Sequence, residues 1–237
     1  MRRTLAMTMA AAAIMAATAR HDAAQAQYVE GNHQVRAGFF IAPGNTSYDI
    51  TDLGGPTTVH GSGSGVGFGA SGGLEWIRAG SMTWGVELDI GTANGAKIFA
   101  ATTPPIKASA DYAASIRGRL GFYARPDLVL YGTVGVGAIG TEIAHTTGAG
   151  NLPKTSNTNI GVVYGGGIEY HRGATILYAE YLRGDYGSQT ATITSGLATY
   201  NYRYSVDTNI FRLGVKFKVG HDWKDDHRHP QHHQPMK

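Results

Sequence analysis

The sequence predicts an all-β protein, an eight-stranded antiparallel transmembrane β-barrel with four long extracellular loops and short periplasmic turns. Three observations predict it. Segments of about ten residues alternate large apolar side chains with small or charged ones, the pattern of a strand with two unlike faces. The connections between segments run long, short, long, short, long, short, long. Ionisable residues within the segments keep to the parity opposite the large apolar ones. Glu75, Glu87, Asp89, Arg117, Arg119, Glu169, Glu180, Arg212, Lys216 and Lys218 all follow this rule. A soluble barrel such as a lipocalin hides its apolar face inside. A membrane barrel shows that face to lipid and turns its charges inward, and closure leaves no backbone group unpaired. No segment after the leader has the apolar length of a transmembrane helix.

The chain of 237 residues has room for one domain of moderate size and contains 34 Gly and no Cys. Disulfides, thiolate metal sites and Cys nucleophiles are thereby excluded. Arg2 and Arg3 precede an apolar run from Leu5 to Ala19, and Ala24-Gln25-Ala26 is a small-x-small cleavage site. That grammar predicts a signal peptide over residues 1–26. N-terminal sequencing of the membrane-extracted protein is expected to begin at Gln27. Recovery of the full-length chain from the cytosol would contradict this. Residues 1–26 hold three Arg and one Asp, so the formal charge of +3 falls to +1 without them, with 17 basic and 16 acidic residues left. The mature chain carries no basic stripe for nucleic acid.

The barrel is predicted over residues 27–220. The first strand is expected near 34–42, with Val35, Ala37, Phe39 and Ile41 on one face, followed by a loop over 43–62. The second, 63–77, sets Val66, Phe68, Leu74 and Trp76 against Gly and Glu75. The third, 82–91, sets Trp84, Val86, Leu88 and Ile90 against Glu87 and Asp89 and is the cleanest alternation in the chain. A loop over 92–107 is broken by Pro104-Pro105. The fourth strand, 108–123, faces Tyr112, Ile116, Leu120 and Phe122 outward, with Arg117 and Arg119 on the other parity. A turn at 124–127 leads to the fifth strand, 128–140, and a loop over 141–158. The eighth strand, 206–219, carries Phe211, Leu213, Val215 and Phe217 against Arg212, Lys216 and Lys218, after a loop over 188–205. Trp76, Trp84, Phe122 and Tyr170 lie beside the short turns, where an aromatic girdle at the periplasmic interface is expected.

The sixth and seventh strands form the hairpin around which the rest is arranged. Ile160, Val162, Tyr164, Ile168 and Tyr170 share one parity, and Gly and Glu169 share the other. A turn at 171–174 leads into a return strand carrying Glu180. Gly167-Ile168-Glu169, Glu180-Tyr181 and Asp185-Tyr186-Gly187, with the closing VDTNIFRLGVKFKV, resemble the small porin-like outer-membrane β-barrel proteins of Gram-negative bacteria, whose barrel domain is like that of outer-membrane protein A. The resemblance implies an outer-membrane location and assembly by the barrel-assembly machinery. Members of that family end their last strand on an aromatic residue. Here Val219 occupies the place, Phe217 is the nearest aromatic, and a tail follows.

The tail, 221–237, is polar, without periodicity, and reads as disordered and periplasmic. It holds His221, His227, His229, His232 and His233, a tract of the kind that binds metal adventitiously. No physiological metal site, cofactor or catalytic residue is assigned. His33, His60, His145 and His171 are the remaining His of the mature chain, and the sequence places none in a compact motif with Ser and a carboxylate. The expected role is structural, supporting envelope integrity. The partners are outer-membrane lipid and lipopolysaccharide, and the sequence names no partner for the loops. A narrow channel for small polar solutes is the first alternative, although eight strands leave little lumen beyond their own side chains. A lipid-modifying enzyme is the second.

Overall fold

A computed structural model describes residues 33–55, 57–77, 81–93, 97–100, 106–145, 154–195 and 198–219. The leader and the His-rich tail lie outside these residues, as do Pro104-Pro105. Nine strands are present among the described residues: β1 (His33–Asp52), β2 (Thr58–Ile77), β3 (Met82–Thr92), β4 (Lys97–Ala100), β5 (Ile106–Arg125), β6 (Leu128–His145), β7 (Lys154–Arg172), β8 (Thr175–Ser195) and β9 (Ala198–Val219). Eight of them form a ring of antiparallel neighbours. β1 pairs with β2 and β9, β3 pairs with β5, and the short β4 extends the β3 position along β5. There is no helix among the described residues.

The lower part of the ring is inside-out. Phe39, Ile90 and Ile160 are 64–65% exposed, and Val66, Leu88, Ile116, Leu120 and Val134 are also on the outer face. The belt spans Val35 to Ile41 on β1, Met82 to Ile90 on β3 and Phe211 to Val219 on β9. In water such a surface would be a severe aggregation liability, whereas in hydrocarbon it costs nothing to expose. Trp76 and Trp84 are cross-strand partners, stacked with centroids 4.3 Å apart and planes 11° from parallel. Phe122 pairs with Met82 beside them, and Tyr170 pairs with Leu128 and Leu177 at the same end.

Among the described residues, the four regions expected as long loops are largely strand. β1 and β2 remain paired up to Thr51 and Thr58, and β8 and β9 up to Ser195 and Ala198. β6 runs to His145 and β7 starts at Lys154. These extensions reverse the polarity of the wall. On β1 the inward residues change from Arg36 and Gly38 to Tyr48 and Ile50. The outward ones change from Phe39 and Ile41 to Asn45 and Asp49. On β9 the inward residues above the belt are Val206, Tyr204 and Tyr202. The upper part is therefore packed like a soluble protein, with an apolar core gathered from Tyr48, Ile50, Ile139, Ile143, Ile193 and their neighbours.

Two irregularities hid this from the sequence pattern. β5 has a register shift between Ala110 and Tyr112, and β8 has one between Asp185 and Ser188. One extra residue moves every later side chain to the opposite face. So Ala108 and Ala110 point inward on even numbers while Arg117 and Arg119 point inward on odd ones. In β8 the shift is made possible by Gly187, whose φ of 60° is in the left-handed region.

Candidate functional site

The belt section of the ring encloses a plug of charge. Its carboxylates are Glu75, Glu87, Asp89, Glu169 and Glu180. Its bases are Arg36, Arg117, Arg119, Arg212 and Lys216. All ten are buried, and the five negative charges balance the five positive ones. Such groups are tolerable away from water only when paired. Arg36 on β1 contacts Glu75 on β2 and Glu169 on β7, the latter at 2.8 Å. Arg119 joins Glu169 at 2.8 Å to Glu87 at 2.7 Å. Arg117 reaches Glu87, Asp89 and Glu180 at 3.1, 3.0 and 2.8 Å. Lys216 bridges Glu87 at 2.5 Å and Glu169 at 3.2 Å. Arg212 lies 2.7 Å from Asp89 and 3.7 Å from Glu180. Ser115 donates to Asp89. One connected network thus links seven of the eight long strands, and the eighth, β6, joins when the Tyr131 hydroxyl donates to Glu180 at 3.2 Å.

Aromatic rings fill what the charges leave. The Arg119 guanidinium lies 3.8 Å from the Tyr131 ring centre, and Arg212 lies 4.3 Å from that of Phe40. Lys216 Nζ lies 4.3 Å from the ring centre of Tyr178. These contacts add cation–π attraction where no water competes. The Phe40 ring lies across Gly69, and a Cβ at Gly69 would collide with it.

Every charged residue expected inside from the sequence is placed in this network except Lys218, which is half-buried at the periplasmic mouth. Arg36 was not among the expected residues. Its signal was present, because Arg36 holds the parity opposite Val35, Ala37 and Phe39. Tyr131 and Tyr178 hold the inward parity in the sequence, opposite Leu130 and beside Glu180, but parity gives neither them nor Phe40 a role against the plug.

Of the His residues, His171 Nε2 is 3.4 Å from Glu169 Oε2 and its ring meets Tyr123 edge-on. His60 Nδ1 is 2.5 Å from Asp49 Oδ1 on the outer surface of the β1–β2 extension, a pairing across strands that the sequence did not suggest. His33 is exposed, and the side chain of His145 lies outside the described residues. Among the described residues no group of three or more His, Asp or Glu is arranged to hold a metal ion.

Above the plug the ring is fastened differently. The β7–β8 ladder stops at Val162 and Asp185, and the β2–β3 ladder stops at Gly69 and Gly91. The neighbouring ladders continue. The upper part is therefore two facing sheets, β8-β9-β1-β2 and β4-β5-β6-β7, closed over the apolar core. The Tyr204 hydroxyl donates to Asn159 Oδ1 at 3.0 Å and lies 3.0 Å from Thr141 Oγ1, crossing between the sheets. Thr155 Oγ1 donates to the Thr192 carbonyl at 3.0 Å across the β7–β8 seam. Between core and plug is a small cavity, lined in part by Phe40, Thr46, Ile139, Thr208 and Arg212, with room for about one water molecule.

Comparison with known proteins agrees with this architecture. The outer membrane protein beta-barrel domain matches residues 9–218. OprG of Pseudomonas aeruginosa is similar at 17% identity over 81% of this chain and 98% of its own, with a TM-score of 0.53. AlkL, solved in DMPC lipid bilayers, is similar at 16% identity over 84% of this chain and 95% of its own, with a TM-score of 0.47. Ail, the attachment invasion locus protein of Yersinia pestis, is similar at 15% identity over 80% of this chain and 100% of its own, with a TM-score of 0.38. Identities this low bear on fold alone, and of these three the OprG likeness carries it. No curated protein matches the chain in sequence. The matched domain covers most of the chain, and the protein belongs to the outer membrane β-barrel domain family of Gram-negative bacteria.

Proposed function

We propose that the protein is a non-conducting structural barrel of the outer membrane that supports the envelope and offers its extracellular end for external contacts. The observation that carries this reading is the plug. Ten paired charges cross the lumen at the level of the lipid belt, and Arg117 and Glu169 at its centre are fully buried. A polar solute would have to part several charge pairs at once, each held by more than one partner. A catalytic role is not favoured, because the carboxylates are committed to cations and hidden from substrate. Lipid meets the apolar belt, lipopolysaccharide meets the polar outer face of the extensions, and the barrel-assembly machinery inserts the chain.

Planar-bilayer recording tests the reading. The purified protein is expected to leave the membrane at its bare conductance across the usual voltage range. Reproducible unitary steps from the wild-type protein would replace the structural reading with the channel. Turnover of radiolabelled lipid A would replace it with the enzyme.

A further inference from the structure

His171 closes the periplasmic mouth of the plug. It holds the parity of Glu169 on β7 and stands at the start of the turn into β8. Its side chain is 6% exposed, although Arg172, Gly173 and Ala174 beside it are all exposed. The His171 backbone nitrogen donates to the Asp127 carbonyl at 2.8 Å, and the ring meets Tyr123 edge-on. His171 Nε2 lies 3.4 Å from Glu169 Oε2. Arg36 Nη1 already holds that oxygen at 2.8 Å, and Glu169 Oε1 serves Arg119 and Lys216. The carboxylate therefore has its cations without the imidazole.

Among the described residues the periplasmic half of the plug has more cations than carboxylates. Glu75, Glu87 and Glu169 face Arg36, Arg119 and Lys216, with Lys218 added at the mouth. Arg117, which also touches Glu87, belongs with Arg212 to the deeper half, where they face Asp89 and Glu180. The groups around the imidazole are Glu169 from its own strand, Arg36 from β1, Lys218 from β9 and Tyr123 from β5. Lys216 and Arg119 stand behind Glu169, and Glu75 of β2 stands behind Arg36. The Asp127 carboxylate is engaged by Arg125 at 3.5 Å, and β8 presents the uncharged Ile176. Burial first, with Arg36 and Lys218 adding to it, outweighs Glu169 and holds the imidazole below its ordinary pKa. Charging the ring where it stands would set a fifth cation against three carboxylates in a closed site. The ring is at the open end of the lumen, so its charged form is better solvated outside, and a proton favours whichever state binds it better.

We propose that His171 is an acid-released latch on the periplasmic mouth: neutral, its ring caps Glu169 and Arg36; protonated, it swings out to the periplasm and lets water reach the lower plug. Histidine is the side chain whose charge changes in the range that a mildly acid periplasm crosses. Arg117, Arg212, Asp89 and Glu180 stay paired in the deeper half, so the lumen remains blocked in both states. The latch goes beyond the structural reading and is independent of it. Acid loosens one end of the barrel and leaves the other as it was.

The test follows ring signals by NMR as the pH is lowered, using the full chain in lipid nanodiscs with isotopically labelled histidine and tyrosine. The His171 signal is the one in contact with Tyr123. It is expected to titrate below the ordinary histidine value of about 6.5, and the Tyr123 contact is lost in step with that titration. Lys218→Met removes one repelling charge and moves both events together to higher pH. Urea unfolding in lipid vesicles reads the same linkage. The unfolded chain takes up the proton first, so the latch stabilises fully above about pH 6.5. Its contribution then falls as the pH drops to the folded value, by up to about tenfold in folding constant per pH unit. The stability difference between wild type and His171→Gln should shrink in acid by that amount. Titration at or above the ordinary value overturns the proposal, and so does a Tyr123 contact that persists once His171 is charged. Equal titrations in wild type and Lys218→Met, or equal acid responses in wild type and His171→Gln, also overturn it. If His171→Gln does not fold, the titrations of wild type and Lys218→Met decide alone. Conductance recorded on the same preparations separates failure of the latch from failure of the structural reading.

Discussion

Arg117→Met is expected to destabilise the barrel by about 3–5 kcal/mol, the range for removing one partner of a buried charge group. Methionine fills much of the volume, so the loss is electrostatic rather than a cavity. Three carboxylates lose a partner at once: Glu87, Asp89 and Glu180. Glu87 keeps Arg119 and Lys216, and Asp89 keeps Arg212. Glu180 is left with Arg212 at 3.7 Å and the Tyr131 hydroxyl, and so suffers most. The plug also acquires a net charge of one in a region that water does not reach. Urea unfolding of the protein in lipid vesicles, read by the migration of unheated samples in gels, measures the change. Arg117→Lys should recover only part of the loss, since an ammonium cannot present the guanidinium fork to three acceptors. The double variant Arg117→Met/Glu180→Gln should be more stable than Arg117→Met alone, because it restores neutrality. A loss under about 1 kcal/mol for Arg117→Met would mean that water enters the plug and that the network is not dry.

Leu88→Arg is expected to cost roughly 2–4 kcal/mol, the penalty for a cation on the lipid face of a barrel near the bilayer midplane. Leu88 is 57% exposed and lies between Val86 and Ile90 on the outward face of β3. Its cross-strand partners are Gly72 and Ile116, neither of which offers a counter-charge. The adjacent residue makes a demanding control. On an outward face Glu87→Gln would be mild, but Glu87 holds Arg117, Arg119 and Lys216 together. Both substitutions should therefore destabilise, for opposite reasons: one introduces a charge into lipid and the other removes a charge from the plug. If Leu88→Arg folds into vesicles as well as wild type, the assignment of faces is wrong.

The faces of the lower barrel were legible because a strand with lipid on one side and charge on the other has a strong period-two signal. Leu88 and Glu87 are the plainest instance. The upper barrel was not legible, and the reason is local. Its strands also alternate, but their polarity is reversed, so Asn45, Ser47 and Asp49 read as loop residues when they are the outer face of a continuing strand. The bulges at Asp111 and Gly187 then shift the parity within single strands, so no fixed period spans the whole of β5 or β8. Arg36 shows a different limit. Its place inside follows from parity, yet its pairing with Glu169 spans 133 positions of sequence and depends on ring closure. The Asp49–His60 contact likewise needed the β1–β2 register before the two residues could be seen as neighbours.

The plug also bears on how the barrel is made. Its members enter the chain from Arg36 to Lys216, and the pairs that close it join the ends: Arg36 with Glu169, Lys216 with Glu87, Arg212 with Asp89. A nascent sheet of the first six long strands would present Glu87, Asp89 and Glu169 without Lys216 and Arg212. Such an intermediate carries an excess of negative charge and has no stable place in hydrocarbon. Long-range pairing of this kind makes folding slow and cooperative. Insertion is therefore expected to await the arrival of β9, with neutralisation of the lumen serving as the signal that the sheet is complete.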